Sequence, residues 1–268
     1  MDFRTYQRVL HSLSEHTEEA TAMFEPWQFV MIGLQGSQNY GLEVENSDVD
    51  TKFIVTPTFK EIAMNEKPVS TTHVRANEEH IDLKDIRLML QTFKKQNMNF
   101  VELLFTQFYL TNPLYSEQWG RLVREREAIA HYSPYAAVKT MKGIALEKYH
   151  AMEHEYPSKI EILKQYGYDP KQLHHLLRVE EYLHRYIKGE SYEECLRPRD
   201  PEYLRSVKLG KYNLDEARTL AAAAVQDVID TTEEYMTTHE ATCNPVIGDL
   251  IDDVQYQIME ISVRKELN

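Results

Sequence analysis

Two aspartates separated by one residue carry the clearest chemical signal in the sequence. Asp48 and Asp50 lie in the segment Ser-Asp-Val-Asp at 47–50, and an apolar run at 53–55 follows. Residues two apart in a β-strand project from the same face, so the pattern predicts two carboxylates side by side. Two like charges at close range are costly unless cations neutralise them, and oxygen ligands suit Mg²⁺ or Mn²⁺. The spacing therefore predicts a metal site at Asp48 and Asp50.

Gly36 and Ser37 precede the two aspartates and follow the apolar run 28–34. The run predicts a strand, and the glycine after it predicts a turn that leads into a helix start. Backbone N–H groups at such a turn bind phosphate oxygens, and Ser37 adds a hydroxyl donor. Taken singly, these residues are typical of an ordinary turn, and an Asp-x-Asp pair is typical of a solvated strand edge. In this order after an apolar strand, they predict a triphosphate clamp beside a metal site.

The elements that carry these residues can be predicted from the spacing of apolar side chains. That spacing predicts a leading helix, two strands, a further strand or hairpin, and a second helix, in the order 1–24, 28–34, 47–55, 74–83 and from 86 onward. From about residue 114 nearly every segment has helical spacing, and prolines fall between the segments or at their ends. The predicted fold class is therefore α+β, with a small mixed-sheet domain at 1–113 followed by a helical domain at 114–268.

Composition and charge restrict the class of protein. With 42% hydrophobic and 27% charged residues, the 268-residue chain has an ordinary globular composition. Its 43 acidic and 30 basic residues give a formal charge of −13, so a nucleic acid would require a local basic patch. The apolar stretches are too short for a bilayer, the first residues do not resemble a secretory signal, and two cysteines make no disulfide framework. We expect a cytoplasmic protein without a membrane span.

The segment 36–50 resembles the nucleotidyltransferase signature of the DNA polymerase beta superfamily, in which a Gly-Ser turn precedes a strand with two metal-binding aspartates. Its Gly-Ser-x-x-Tyr-Gly and Ser-Asp-x-Asp details are similar to those of the RNA repair pathway DNA polymerase beta family (RlaP). Three later segments resemble further motifs of that family: Asn-x-Asn-x-x-Glu-Leu-Leu at 97–104, Lys-x-x-x-His-x-x-Arg at 171–178, and a basic stretch at 204–214. The resemblance implies that 1–113 is a nucleotidyltransferase domain.

A third carboxylate on a neighbouring strand also belongs to the site in this superfamily. Asp82 is the candidate, because an apolar residue flanks it on each side, as expected in a half-buried strand. Asp85 and Glu79 are the alternatives, and the structural interpretation of all three is a solvated strand end. The resemblance thus implies that Asp48, Asp50 and Asp82 are both the catalytic residues and the ligands of Mg²⁺ or Mn²⁺.

A basic helix face forms the last part of the predicted site. Lys171, His175 and Arg178 are spaced so that they lie on one face of a helix. Lysine and arginine donate charge-assisted hydrogen bonds to phosphate, so these residues are predicted to bind the nucleotide. The alternative is a surface face that pairs with nearby acids such as Glu180 and Glu181.

The predicted reaction is in-line attack of a hydroxyl on the α-phosphate of a nucleoside triphosphate such as ATP, with pyrophosphate as the leaving group. Two metal ions would assist the attacking hydroxyl and the leaving oxygens. The resemblance implies that the acceptor is an RNA end in RNA repair and that an RNA ligase is a partner. A protein or a small molecule is the alternative acceptor. A catalytically idle, antitoxin-like binding protein is the alternative of a different class.

Overall fold

The computed structural model describes residues 3–44 and 47–268 of the chain. Residues 1, 2, 45 and 46 belong to the predicted leading helix and to the segment 36–50, and they lie outside the described residues. The chain forms two compact units, which we call the sheet unit and the helical unit. The sheet unit consists of the described residues of 1–39, 45–132 and 243–268, and the helical unit consists of 40–44 and 133–242. A sheet and many helices confirm the α+β class.

The strands of the sheet unit pair into one sheet. They are β1 Gln28–Gln35, β2 Asp50–Thr56, β3 Ser70–Val74, β4 His80–Asp85 and β5 Tyr109–Thr111. Their order in the sheet is β3-β4-β2-β1-β5. β2 and β4 are parallel and the other neighbours are antiparallel, so the sheet is mixed, as predicted. The strand predicted at 47–55 is observed as β2, which begins later, at Asp50.

The helices of both units are numbered in chain order. They are α1 Phe3–Met23, α2 Phe59–Ala63, α3 Ile86–Lys94, α4 Met98–Val101, α5 Ser116–Arg124, α6 Arg126–Ala130, α7 Pro134–Ala151, α8 Ile160–Tyr166, α9 Pro170–Ile187, α10 Tyr192–Leu196, α11 Pro201–Lys208, α12 Leu214–Thr238 and α13 Pro245–Leu267. Over the described residues, none of these helices combines the length and the apolar character that a membrane span needs.

Polar residues at the helix starts explain several of these boundaries. The Asp169 side chain accepts a hydrogen bond from the Lys171 backbone at 2.9 Å, and Pro170 occupies the first turn of α9. Both features favour a helix start, because proline needs no N–H partner there. Asn213 and Glu216 form a reciprocal capping box at the start of α12. Local sequence therefore determines where these two helices begin.

Alternation along β2 and β4 gives the sheet two different faces. One face, which we call the core face, packs against α1 in a cluster of buried residues: Leu13, Ala20, Ile32, Phe53, Val55, Ile81 and Leu83. The intervening residues point to the opposite side. We call this side the polar face and define it by Asp50, Lys52, His80, Asp82 and Lys84. The strand period therefore places these five polar side chains on the face opposite the apolar cluster.

The compact units divide the chain at different residues from the predicted domains 1–113 and 114–268. Helices α5, α6 and α13 belong to the sheet unit rather than to the helical unit. On α13, the Ser262 and Thr56 hydroxyls lie 2.7 Å apart, and Asp252 forms a 2.6 Å ion pair with Lys94. Helical spacing predicts a buried face but does not indicate which core that face packs against. The sequence pattern therefore could not reveal that the last helix returns to the sheet.

Candidate active site

The Gly-Ser turn follows β1 directly. Gly36 has φ of +100°, a backbone conformation that glycine adopts at little cost. Ser37–Tyr40 then forms a 3₁₀ turn rather than the predicted start of an α-helix. The Asn39 side-chain amide donates to the Leu34 carbonyl at 3.0 Å, and the Asn39 backbone N–H donates to the Gly36 carbonyl at 3.1 Å. These bonds hold a short turn whose N–H groups remain the predicted phosphate donors.

Asp48 and Asp50 lie at the end of the sheet where this turn is located. The antiparallel register pairs Gln35, the last residue of β1, with Asp50, the first residue of β2. Asp48 precedes β2 and is exposed, and its backbone carbonyl accepts from the Gln38 side chain at 2.5 Å. Val49 between them is fully buried. Alternating burial places the two aspartates on the side opposite Val49, although only Asp50 belongs to the strand.

His80 controls the orientation of the Asp50 carboxylate. Asp50 Oδ1 accepts from the His80 backbone N–H at 2.9 Å and from His80 Nδ1 at 3.0 Å. Within residues 3–44 and 47–268, no hydrogen-bond donor reaches Asp50 Oδ2, and no hydrogen bond or ion pair engages the Asp48 carboxylate. These two side chains thus present acidic oxygens that are open to a cation.

Asp82 lies on the same polar face but already has a cationic partner. Its Oδ2 is 2.8 Å from Lys52 Nζ, and the parallel register pairs the two residues across β2 and β4. The Thr72 hydroxyl donates to Oδ1 over a longer 3.4 Å. The Lys52 side chain is only 4% exposed, whereas that of Asp82 is 24% exposed. The predicted third carboxylate is therefore one partner of a largely buried ion pair.

A second lysine extends this charged cluster. Lys84 Nζ donates to the Ser70 hydroxyl at 3.1 Å. Burial lowers the pKa of Lys84; the nearby Asp82 carboxylate opposes this shift, and the Lys52 charge reinforces it. The ammonium groups of Lys52 and Lys84 lie 4.2 and 4.5 Å from the centre of the Phe100 ring. Motif reasoning missed Lys52, although its alternation with Asp50 would have placed it on the same face.

The two alternative acids, Asp85 and Glu79, have structural roles in the fold. Asp85 is 1% exposed; it caps α3 by accepting from the Arg87 backbone at 2.8 Å, and it also binds the Arg87 guanidinium at 2.6 Å. Glu79 Oε2 lies 3.0 Å from His16 Nε2 and 3.1 Å from Arg75. Burial favours a higher pKa for Glu79, but hydrogen bonds from His16 and Asn77 outweigh it, so the pKa is lowered. Among the three acids, Asp82 is the one on the face of Asp50.

These contacts decide which predicted ligands fit a metal ion. Over the described residues, no group of three or more His, Cys, Asp or Glu side chains is arranged to hold one. Asp48 and Asp50 offer only oxygen atoms, which suit Mg²⁺ or Mn²⁺. Asp82 does not fit as a third ligand in this arrangement, because Lys52 occupies the position beside its carboxylate. The geometry places two of the three predicted ligands, Asp48 and Asp50, at one end of the sheet.

In the helical unit, the predicted basic face lies along α9. Lys171 is exposed in the first turn, and His175 is half-buried. Arg178 is 7% exposed, and its guanidinium carbon lies 3.8 Å from the centre of the Tyr40 ring. Burial lowers the pKa of His175 well below its usual value, and the charge of Arg178 lowers it further. Glu181, one of the acids of the alternative interpretation, pairs instead with Arg185 at 3.0 Å.

His174, next to this face, is a structural residue. It is 1% exposed, and its Nδ1–H donates to the Leu204 carbonyl at 2.8 Å. Burial lowers the pKa of His174 to about 4; the Leu204 bond opposes this shift, and the charges of Arg178, Lys208 and Lys171 add to it. A neutral histidine therefore lies within electrostatic reach of three cations.

No protein-family model matches the chain. No curated protein matches it either. Among solved structures, it is similar to a nucleotidyltransferase-like protein from Exiguobacterium sibiricum 255-15, with 11% identity and a TM-score of 0.30. The overlap covers 83% of this chain and 74% of that chain. Similarity at this level does not by itself establish a common fold.

Proposed function

We propose that the chain is a nucleotidyltransferase that moves a nucleoside monophosphate from a nucleoside triphosphate to a hydroxyl acceptor. The pairing of Gln35 with Asp50 across β1 and β2 is the observation that supports this function. It brings the turn at 36–37 and the acidic start of β2 to one end of the sheet. Backbone N–H groups beside acidic oxygens suit a triphosphate and the hard cation that accompanies it.

Asp48 and Asp50 would hold this cation, Mg²⁺ or Mn²⁺. When bound, such an ion lowers the pKa of a hydroxyl nucleophile and stabilises negative charge on phosphate oxygens. His80 fixes the Asp50 side chain, because both of its hydrogen bonds go to Oδ1 and leave Oδ2 for the ion. His80 thus orients a ligand rather than reacting itself.

Gly36 and Ser37 would bind the β- and γ-phosphates through backbone N–H groups and the serine hydroxyl. During transfer the acceptor oxygen bonds to the α-phosphorus, while the bond from that phosphorus to the bridging oxygen breaks. Pyrophosphate leaves, and the hydroxyl proton passes to solvent. The chain's own residues position the substrate and balance its charge, which is the main contribution a protein makes to phosphoryl-type transfer.

We propose an RNA end as the acceptor and an RNA ligase as a functional partner. Both proposals rest on the resemblance of segments 97–104, 171–178 and 204–214 to motifs of the RNA repair family. With a net charge of −13, the chain needs a local cationic surface for RNA. In the helical unit, Lys171, Arg178 and Lys208 are close enough to His174 to lower its pKa, so their charges are clustered. A protein hydroxyl and a small molecule are the competing acceptors.

Transfer of a labelled nucleotide tests the function directly. The chain is incubated with each α-labelled nucleoside triphosphate, Mg²⁺ or Mn²⁺, and one of three acceptors: RNA with a 3′-hydroxyl, RNA with a blocked 3′ end, or a mixed protein pool. Label on the unblocked RNA alone supports an RNA acceptor, and label in the protein fraction points to a protein acceptor. A chain that labels neither RNA nor protein and that releases no pyrophosphate with candidate small molecules refutes nucleotidyl transfer.

Asp50→Asn connects this activity to the site. Even the outer partners of a metal contribute about 10- to 100-fold to affinity or activity, so loss of a ligand should reduce transfer by more than about a hundredfold. Asp249→Asn is the matched control, because Asp249 is an exposed aspartate on α13 in the same unit. Melting temperatures should stay within the range of the control. Full activity of Asp50→Asn would refute the assigned site.

Lys171 gives a separate test of phosphate binding by α9. Among the described residues no acid forms an ion pair with its side chain, and the side chain is exposed, so Lys171→Ala should change stability by less than about 0.5 kcal/mol. Loss of a charge-assisted hydrogen bond to phosphate should weaken nucleotide binding by about tenfold or more. A nucleotide affinity within about twofold of the wild-type value would show that this face of α9 is only a solvent-exposed surface and does not bind phosphate.

A further inference from the structure

The ion pair between Lys52 and Asp82 is the feature of the polar face that the proposed function does not explain. Lys52 Nζ lies 2.8 Å from Asp82 Oδ2, and the two residues are direct neighbours across the parallel strands β2 and β4. Lys52 also alternates with Asp50 along β2, so its side chain extends over the face that carries the Asp50 carboxylate. A fixed positive charge therefore lies beside Asp82, on the face that carries Asp50.

The charge balance around Asp82 opposes a metal ion there. The ammonium groups of Lys52 and Lys84 both lie over the Phe100 ring, and Asp82 is the acid that faces them. The Lys52 ammonium already neutralises the Asp82 carboxylate, and the Lys84 ammonium adds a second positive charge to the same largely buried cluster. Electrostatic repulsion is strong at such short range when water is excluded, so a divalent cation bound to Asp82 would be repelled.

We propose that Lys52 is the resident cation at Asp82, so that the site takes one divalent ion at Asp48 and Asp50 instead of two. In this arrangement Asp82 is a positioning residue that holds Lys52, and the positive charge of the largely buried Lys52 ammonium attracts the triphosphate electrostatically. The inference rests on the proposed function and specifies how many metal ions the site takes and which side chain attracts the phosphate charge. It replaces the predicted role of Asp82 as a third metal ligand.

Binding of Mn²⁺ alone tests the ion count without any catalytic turnover. Free Mn²⁺ is measured by its paramagnetic resonance signal while the chain is titrated. The wild type should bind one ion, and Asp50→Asn should weaken binding by at least about tenfold. The decisive protein is Lys52→Met/Asp82→Asn, which removes one charge of each sign and leaves no buried charge without its partner. It should keep Mn²⁺ affinity well within about tenfold of the wild type.

Three results of the titration would overturn the inference. They are two ions per wild-type chain, loss of Mn²⁺ binding by about tenfold or more in the double variant, and no Mn²⁺ binding to the wild type. The last result would also remove the metal site from the proposed function. Mn²⁺ binding as expected together with no nucleotide transfer would refute the proposed function alone and leave the single-ion site in place.

Binding of inorganic tripolyphosphate to the metal-free chain tests the positioning role. Lys52→Met should weaken this binding by about tenfold or more, and Lys52→Arg should restore most of it. Asp82→Asn removes a negative charge, so a purely electrostatic effect would strengthen binding of the anion. If Asp82 positions Lys52, Asp82→Asn should instead weaken the binding of tripolyphosphate. Stronger binding by Asp82→Asn, or unchanged binding by Lys52→Met, would overturn the inference.

Discussion

Acidification should destabilise the helical unit through His174, which is neutral and buried in the folded chain. Burial lowers its pKa from 6.5 to about 4, and the cations Arg178, Lys208 and Lys171 add to the effect. The unfolded chain binds a proton at this histidine below pH 6.5, whereas the folded chain does so only near pH 4. The stability due to neutral His174 is therefore complete above pH 6.5 and is lost as the pH falls towards 4.

The size of this effect follows from the two pKa values. The interval between 6.5 and about 4 corresponds to roughly 3 kcal/mol of unfolding free energy, which is a large part of the stability of an ordinary domain. His174→Gln removes the titration but keeps a side-chain N–H that can donate to the Leu204 carbonyl. Between pH 7 and pH 4, the variant should therefore lose about 3 kcal/mol less stability than the wild type.

Urea denaturation at several pH values measures this difference. Other titrating groups, including His175, are present in both proteins, so the comparison cancels most of their contribution. The His174 proton should also titrate near pH 4 in the folded wild type when followed by NMR. If the wild type and His174→Gln lose the same free energy of unfolding on acidification, the burial argument for His174 fails.

Two further predictions concern stability and use matched pairs. Gly36→Ala should lower the unfolding free energy by about 1–2 kcal/mol, because a φ of +100° disfavours any side chain. Gly143→Ala, in the interior of α7, should instead raise the unfolding free energy by about 0.5–1 kcal/mol. Urea denaturation measures both changes, and equal effects would refute the argument. Arg185→Lys should destabilise by at least about 2 kcal/mol, because its buried guanidinium donates to Glu190, to Glu181 and to two carbonyls. Arg199 also binds Glu190 but is exposed, so the unfolding free energy of Arg199→Lys should stay within about 0.5 kcal/mol of the wild-type value. Similar losses of stability in Arg185→Lys and Arg199→Lys would contradict the role of burial.

Much of the fold could be predicted because local sequence determines it. The apolar run at 28–34 forms β1 almost as predicted. The segment 74–83, predicted as a strand or a hairpin, overlaps the hairpin of β3 and β4, although β3 begins earlier, at Ser70. The division between units was harder to predict, since α13 has the same helical spacing as α12. Contacts such as Ser262 with Thr56, over 200 residues apart in sequence, decide its partner. Local patterns carry no information about such contacts.

The candidate site could be predicted only as far as residue types and strand alternation allow. Asp48, Asp50 and the turn at 36–37 could be proposed from the sequence because their spacing is itself the signal. The ion pair of Lys52 with Asp82 was not, because it depends on the parallel register of β2 and β4. That register is fixed by packing between segments distant in sequence. A neighbouring lysine can thus change the role of an acid that the motif assigns to metal binding.

The register of β2 and β4 in turn depends on a polar cluster within the core. His16 of α1 is fully buried; its Nδ1 lies 2.9 Å from the Thr51 hydroxyl, and its Nε2 lies 3.0 Å from Glu79. A shift of β4 by one residue would move Glu79 away from His16 and leave the buried Nε2 of His16 without this partner. It would also move Asp82 off the polar face, since adjacent residues of a strand face opposite sides. Because leaving buried polar groups unsatisfied is costly, this cluster on the core face also maintains the arrangement of Asp50, Lys52 and Asp82 on the opposite face.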